Sequence, residues 1–454
     1  MPLSNLMDSG GQLCQLKYRL GAENEFGVID AAMRTYVCFK CGRKIATENI
    51  QYLCPEDGSV LEIELDYVGI VRNGWEPEVI TPGNMSMWRF GGLIPVRKPP
   101  SANDILNSVG GTPLTYARQL NSNIGERVWI KNDSLLPTGS LKDRASAVVV
   151  SEAIARSIGA VITASTGNAG VALAGMAAAG GLKAIVVAPR DAPVAKIEQI
   201  VGYGAELVLV DGSYSDAYDL TVKASTEMGL YCRNTGYNPL TIEGKKTVSY
   251  EICEQLSSMV EGRKTGAYWK VPDVVIVPVG DGNMISGVYK GFVDLMSIGV
   301  ASRIPKIVGV QAEGSAAIAH AYMSENPVID EVNSFTIADS ISADRPSDGY
   351  RAMHAVKSSR GQYLTASDDE IVVAANELAS KTGIFAELSA SIAYVGLKKL
   401  QDTEWVNASD DVIMLITGHG LKTVGTIKTP TERYTNIKPN MKALSDTLRG
   451  KDII

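Results

Sequence analysis

The chain has 454 residues, 45% apolar and 20% charged, with a formal net charge of −7; this suits two or three folded domains and excludes wholesale disorder and a basic binder of nucleic acid or membrane surfaces. Its 44 glycines exceed the usual share of about 7%, while its three histidines, His320, His354 and His419, are too few for a multi-histidine metal site and argue against a Ser-His-Asp triad. Chemistry is therefore expected from a cofactor held in glycine-rich loops.

In chain order, the N-terminal stretch up to Leu20 lacks a basic end followed by an apolar core, so no signal peptide and a cytoplasmic location are expected. Six cysteines, at 14, 38, 41, 54, 232 and 253, are too sparse for a disulfide framework. Clustered cysteines, the polar stretch 72–87 and the proline-rich exit Arg97-Lys98-Pro99-Pro100 place a boundary near residue 100. Beyond it, strands are predicted at Ala160–Thr163, Ala184–Ala188, Glu206–Asp211, Asp273–Val279, Ile307–Gln311 and Val412–Thr417. They are nearly continuous apolar runs, as parallel strands covered on both faces require. Helical patterns alternate with them. In 142–158, Ala147, Val150, Ile154 and Ile158 share one face, and Ser140 with Asp143 reads as a capping box. The uncharged run 157–182 reads as strand, loop and helix rather than a membrane span. Alternating units imply parallel sheets with crossover helices, an α/β fold.

Ligands of such folds bind outside the carboxyl ends of strands. Four loops occupy that position: Leu136-Pro-Thr-Gly-Ser-Leu-Lys142-Asp-Arg144, Ala164-Ser-Thr-Gly-Asn168-Ala-Gly170, 278–287 (PVGDGNMISG) and Thr417-Gly-His-Gly-Leu-Lys422. The Gly280–Gly287 loop precedes a helical pattern, so its amides and the helix dipole suit a phosphate; a plain tight turn reads equally well from this loop alone. Lys142 sits just inside a helix start, where the dipole and the apolar Leu135, Leu136 and Leu141 favour a neutral, nucleophilic amine. Cys232 and Cys253 read as buried apolar residues, His320 and His354 as surface or helix residues.

Together these loops resemble the pyridoxal-phosphate enzymes of fold type II, in the threonine synthase-like branch. The resemblance covers roughly residues 88 to 425. It rests on Trp88-Arg-Phe90, Gly111-Thr-Pro-Leu114, Pro137 to Arg144, Ser165 to Gly170, Asn238-Pro239 with Glu243-Gly-Lys-Lys-Thr247, Val279 to Asn283, Thr382-Gly-Ile-Phe-Ala-Glu387 and Thr417 to Lys422. It implies two doubly wound parallel-sheet lobes in a body of residues 101–454, with a smaller lobe about 128–240, behind an N-terminal segment 1–100. It implies that Lys142 carries pyridoxal phosphate and moves protons at Cα and Cβ. Asn168 would meet the cofactor's phenolic oxygen, Gly280, Asp281, Gly282, Asn283 and Met284 its phosphate, and Thr417 its ring nitrogen, with His419 nearby. Ser165, Thr166, Gly167 and Ala169 would bind the carboxylate of a small amino-acid substrate. A homodimer is also implied.

The chain departs from the family pattern in places. Where an arginine usually follows Asn-Pro by two residues, Thr241 stands, and Lys245 replaces a glutamine. Lys245 could supply the missing charge for a substrate phosphate, though a lysine is not a bidentate fork. Residues 388–390 (LSA) also depart from the usual sequence. The expected activity is threonine synthase, with a serine/threonine dehydratase or a β-replacement synthase on phosphoserine or another activated serine as the alternative. Cys38-x-x-Cys41 with Cys54 and Asp57 is similar to the zinc ribbon at the front of many threonine synthase-like chains, with Asp57 where a fourth cysteine is usual. A Cys₃Asp zinc site and a metal-free ribbon held by packing both remain open. Four basic against six acidic residues in 34–66 exclude nucleic-acid binding by this ribbon.

Overall fold

The computed structural model describes residues 34–76, 84–99, 105–122, 124–165, 167–190, 192–260, 268–324, 327–424, 435–451 and 453. The N-terminal peptide with Cys14 and the boundary near residue 100 lie outside them. Among the described residues, thirteen strands form three sheets. Strands β1 (Arg34–Cys38), β2 (Lys44–Ile45) and β3 (Leu61–Leu65) make a small antiparallel sheet in the order β2-β1-β3. Strands β4 (Leu114–Tyr116), β5 (Arg127–Asn132), β10 (Val274–Pro278), β11 (Lys306–Ala312), β12 (Gln362–Ala366) and β13 (Asp411–Ile416) make a six-stranded sheet ordered β12-β11-β10-β13-β5-β4. Only β4 runs antiparallel in it. Strands β6 (Ala160–Ala164), β7 (Lys183–Pro189), β8 (Glu206–Val210) and β9 (Tyr231–Cys232) form a parallel sheet ordered β8-β7-β6-β9.

All six predicted strands are present within a residue or two of their ends. Their apolar runs mean burial: every residue of β10 and of β13 is buried. β8 is the exception, an edge strand exposed along much of its length. The uncharged run 157–182 divides into β6, the helix Asn168–Ala179 and a turn, and among the described residues no helix is long and apolar enough to cross a membrane.

The helix Lys142–Ala155 corrects two details. It is buried on all sides from Asp143 to Ala153, not on one face, because it runs between other helices. The capping box is absent: Leu141 is the N-cap, and the Asp143 carboxylate instead accepts from the backbone N–H (2.7 Å) and hydroxyl of Thr138. The loop before the helix turns back toward Thr417, and this tertiary bond from Leu141 N–H to Thr417 O (2.9 Å) overrides the local cap. Two residues along, Arg144 is fully buried between Asp133 and Glu251, and Glu251 also accepts from Lys131 at 2.7 Å. The small N-terminal sheet has no core of its own. Tyr36, Leu61 and Ile63 belong to the same apolar cluster as Val148 and Val149.

Candidate active site

A cavity of about 930 Å³ opens at the carboxyl ends of β6, β7, β10 and β13, between the two parallel sheets. Of the predicted site residues, Lys142, Ser165, Gly167, Asn168, Ala169, Gly280, Asp281, Gly282, Met284 and Thr417 line it. Asn283 and Lys245 stand behind its wall. Thr166 lies outside the described residues.

Lys142 is the first residue of its helix. Burial holds its ammonium below the usual lysine value; Asp281 and Glu387 pull it up, and the Arg233 guanidinium pushes it further down. Leu136 and Leu141 are buried beside this loop, but Leu135 is 59% exposed and adds nothing to the lysine's setting. Arg233, which carried no signal in the sequence, is fully buried nearby. Burial pushes its pKa down to about 10. It donates to Ser146 Oγ (3.2 Å) and to Thr235 Oγ1 (2.6 Å), and its Nη2 has no hydrogen-bond partner.

Asn168 begins the next helix, after a glycine that leaves its first N–H groups without a side-chain cap. Its Nδ2 donates to Glu387 Oε1 (2.7 Å) and Oε2 (3.0 Å) and to Ser340 Oγ (3.2 Å), while its Oδ1 is buried and unpartnered. Glu387 lines the cavity. It ends a motif that the sequence singled out without giving the carboxyl a role. Lys196 is fully buried under the same loop, bonded to Asp339 and to Ser340 Oγ (3.1 Å). A Cβ on Gly167 would lie 3.2 Å from its Nζ. Nothing in its helical sequence distinguished Lys196.

The 280–284 loop is shaped by what it cannot carry. A Cβ on Gly280 would lie 2.9 Å from Ile341 Cα; Gly282 has φ +90° and its Cβ would lie 2.8 Å from Asp348 O. Gly282 is the N-cap of the helix Asn283–Ser297 and supplies no side-chain acceptor; Asn283 N–H donates to Asp281 Oδ1 (3.1 Å), which leaves the amides after it for an anion. The Asn283 side chain turns away from the cavity. Its Nδ2 donates to Asp348 and to Thr241 Oγ1 (3.2 Å), and its Oδ1 accepts from Lys245. Lys245 therefore braces the loop from behind. Burial, and next the charge of Lys142, hold its ammonium far below the usual value. His419 does not line the cavity; its Nδ1 accepts from Leu421 N–H at 3.1 Å. Cys232 and Cys253 are fully buried, as expected, and His320 and His354 are exposed.

In the N-terminal sheet two turns face each other. Gly42 N–H donates to Cys38 O (3.0 Å) and Gly58 N–H to Cys54 O (2.9 Å), each glycine at positive φ. One ligand atom from each of Cys38, Cys41, Cys54 and Asp57 lies within 4.8 Å of the others. Three sulfurs and one carboxylate oxygen so gathered are a donor set that zinc accepts.

The cavity fits pyridoxal phosphate on its own terms: a lysine whose ammonium is disfavoured by burial, and a glycine cradle that excludes side chains. A family model for pyridoxal-phosphate dependent enzymes matches residues 105–418. The chain is 34% identical over 415 residues to the threonine synthase of Methanocaldococcus jannaschii, covering 91% of this chain and 98% of that one. It is 31% identical over 417 residues to the threonine synthase of Methanosarcina acetivorans, with the same 91% and 98% coverage. Among solved structures, the processed form of threonine deaminase isoform 2 from Solanum lycopersicum superposes with a TM-score of 0.55 at 20% identity, covering 71% of this chain and 85% of that one, a likeness of fold alone. The chain belongs to the pyridoxal-phosphate-dependent enzymes of fold type II, in their threonine synthase-like family.

Proposed function

We propose that this enzyme is a threonine synthase, converting O-phospho-L-homoserine and water to L-threonine and phosphate. The observation that carries the reading is similarity to threonine synthases along nearly the whole length of both chains. Lys142, Asn168, the 280–284 loop and Thr417 would hold the cofactor. Bound there, the pyridoxal ring supplies an electron sink for the substrate's α-carbon. Lys142 Nζ, disfavoured as an ammonium by burial, serves as the base at Cα and Cβ. The Thr417 hydroxyl, at the cavity wall, would meet the ring nitrogen without holding a proton on it, which would suit elimination over deeper charge delocalisation. The amides and hydroxyls of 165–169 take the substrate carboxylate.

One observation favours the alternative. Thr241, where the family usually has an arginine, is fully buried; it donates to Asn238 O (2.8 Å) and accepts from Asn283. It offers a substrate phosphate no cation. A dehydratase acting on serine or threonine, or a β-replacement synthase on phosphoserine or another activated serine, needs no such group at that distance. Incubation with phosphohomoserine, phosphoserine, serine and threonine decides between them. Phosphate release from phosphohomoserine alone, with threonine formed, supports the synthase; 2-oxo acid released from free threonine overturns it. The same reading carries a cytoplasmic homodimer with a body of two lobes, and zinc on Cys38, Cys41, Cys54 and Asp57. Sedimentation and cell fractionation test the first two, limited proteolysis the lobes and metal analysis the last.

A further inference from the structure

Asn168 and Glu387 meet across the cavity with their groups the wrong way round for the cofactor. Asn168 spends Nδ2 on both oxygens of Glu387 and on Ser340, and keeps Oδ1 buried without a partner. A carboxylate can only accept, so an ionised Glu387 holds the amide in this orientation. The atom left over is then an acceptor, and the cofactor's phenolic oxygen is an acceptor too. We propose that Glu387 is the positioning residue for Asn168 and works as the neutral acid, donating its O–H to Asn168 Oδ1 so that Nδ2 is free for the phenolic oxygen. The proton comes from solvent, and the amide turns about its last side-chain bond; both orientations occupy the same volume.

The surroundings support a neutral carboxyl. Glu387 is 1% exposed, and among the described residues no cation lies within ion-pair distance of it. The charges that face it come from four elements. Lys196, on the helix Val194–Gly202, is bonded to Asp339 and Ser340. Asp339, in the turn 339–341, adds a like charge. Lys422, in the turn 420–423, is bonded to Gln199 Oε1 at 2.8 Å. Lys142 is the fourth, across the cavity. Gly418 packs against the carboxyl so closely that a Cβ there would lie 2.1 Å from Oε1. A buried carboxylate without a paired cation is costly, and such groups ordinarily neutralise. Burial raises the Glu387 pKa in agreement, against the charges of Lys196 and Lys422, which lower it, and with Asp339, which raises it further.

The proposal rests on cofactor binding alone, so it stands or falls whatever the substrate proves to be. The test titrates wild type, Glu387→Gln and Glu387→Ala with pyridoxal phosphate, reading the visible band of the lysine-bound cofactor. It also subtracts the infrared spectra of the wild-type and Glu387→Gln holoenzymes. The wild type is expected to show the carbonyl stretch of a protonated carboxyl that Glu387→Gln lacks. Glu387→Gln, which can donate to Oδ1 in the same way, keeps cofactor affinity within about 3-fold, and Glu387→Ala loses about 10-fold or more, the cost of a buried polar atom left unpaired. Absence of a protonated-carboxyl band that Glu387→Gln removes overturns the proposal, as does a folded Glu387→Ala that binds the cofactor as tightly as wild type. If Glu387→Ala does not fold, the infrared comparison decides alone.

Discussion

Gly280→Ala tests whether the 280–284 loop is the phosphate cradle. The added Cβ would lie 2.9 Å from Ile341 Cα, 3.1 Å from Ile341 O and 3.2 Å from Ile341 C, all backbone atoms. No side chain can swing aside; the loop or the segment 339–341 must move by several tenths of an ångström. That segment carries Ser340, whose hydroxyl bonds Asn168 and Lys196, so displacement also reaches the far wall. Overpacking of this kind costs about 1–3 kcal/mol. Felt mainly by the ligand-bound form, which needs the loop in place, that is roughly 5- to 150-fold in affinity. Gly159→Ala is the control, because its Cβ would meet nothing within 4 Å and its φ is ordinary. The assay is a cofactor titration of the two variants, with circular dichroism to establish that both are folded. Weakened binding in Gly280→Ala alone is the expected result. Wild-type affinity in a folded Gly280→Ala would refute the cradle assignment.

Two further outcomes follow from buried charge and a third from the cysteine cluster. Burial lifts the Asp143 pKa from 3.8 to about 7, so the folded chain binds this proton more tightly than the unfolded one. The stability it contributes is complete below 3.8 and is lost as pH rises toward 7, by up to about 4 kcal/mol; Asp143→Asn should flatten that slope in denaturant titrations at several pH values. Glu251 accepts from Arg144 Nη1 (2.7 Å) and Nη2 (2.9 Å), from Lys131 (2.7 Å) and from Gly111 N–H (3.0 Å). Glu251→Gln leaves buried Lys131 without a counter-charge and Arg144 with Asp133 alone, and should cost about 3–5 kcal/mol, read as a lower urea midpoint at unchanged slope. Purified chain is expected to carry one zinc, and Cys41→Ser, at the exposed cysteine of the cluster, to lose most of it on metal analysis; wild type without zinc after growth in zinc would leave packing alone to hold the ribbon.

The parts of the fold that were legible in the sequence are those where burial is uniform. β10 and β13 read as strands because every residue in them is buried and nearly all are apolar. β5 escaped because its run carries Lys131, a buried cation whose partner, Glu251, is 120 residues away. β12 is half-exposed and polar, and β9 is two residues long. The site divides in the same manner. Lys142, Asn168, Gly280 and Thr417 could be found because each lies in a short loop after a strand or before a helix, where residue type reports local geometry. Arg233, Lys196 and the role of Glu387 could not, since each depends on a neighbour far along the chain. The missing capping box has the same cause: Ser140 and Asp143 satisfy the local pattern, but the bond from Leu141 to Thr417 decides where the loop goes.

The contacts that close the cavity are polar ones between its two walls. Asn168 reaches Glu387, Lys196 reaches Asp339, and Gln199 is bonded by Lys422. At the rim, Arg345 pairs with Asp219 at 3.1 Å. In each pair one partner comes from the segment that builds the four-stranded sheet and the other from the loops of the six-stranded sheet. One apolar cluster takes in residues of both sheets, among them Val161, Ala184, Val275 and Ile413, and the charged and hydrogen-bonded pairs join the walls at the cavity itself. Such contacts can be exchanged for others of equal strength at little net cost, because a ligand's carboxylate, phosphate or phenolic oxygen offers the same donors and acceptors. An apolar seam of equal area would have to be broken outright. The groups that hold the walls together are thus the groups for which a charged amino acid and its cofactor compete.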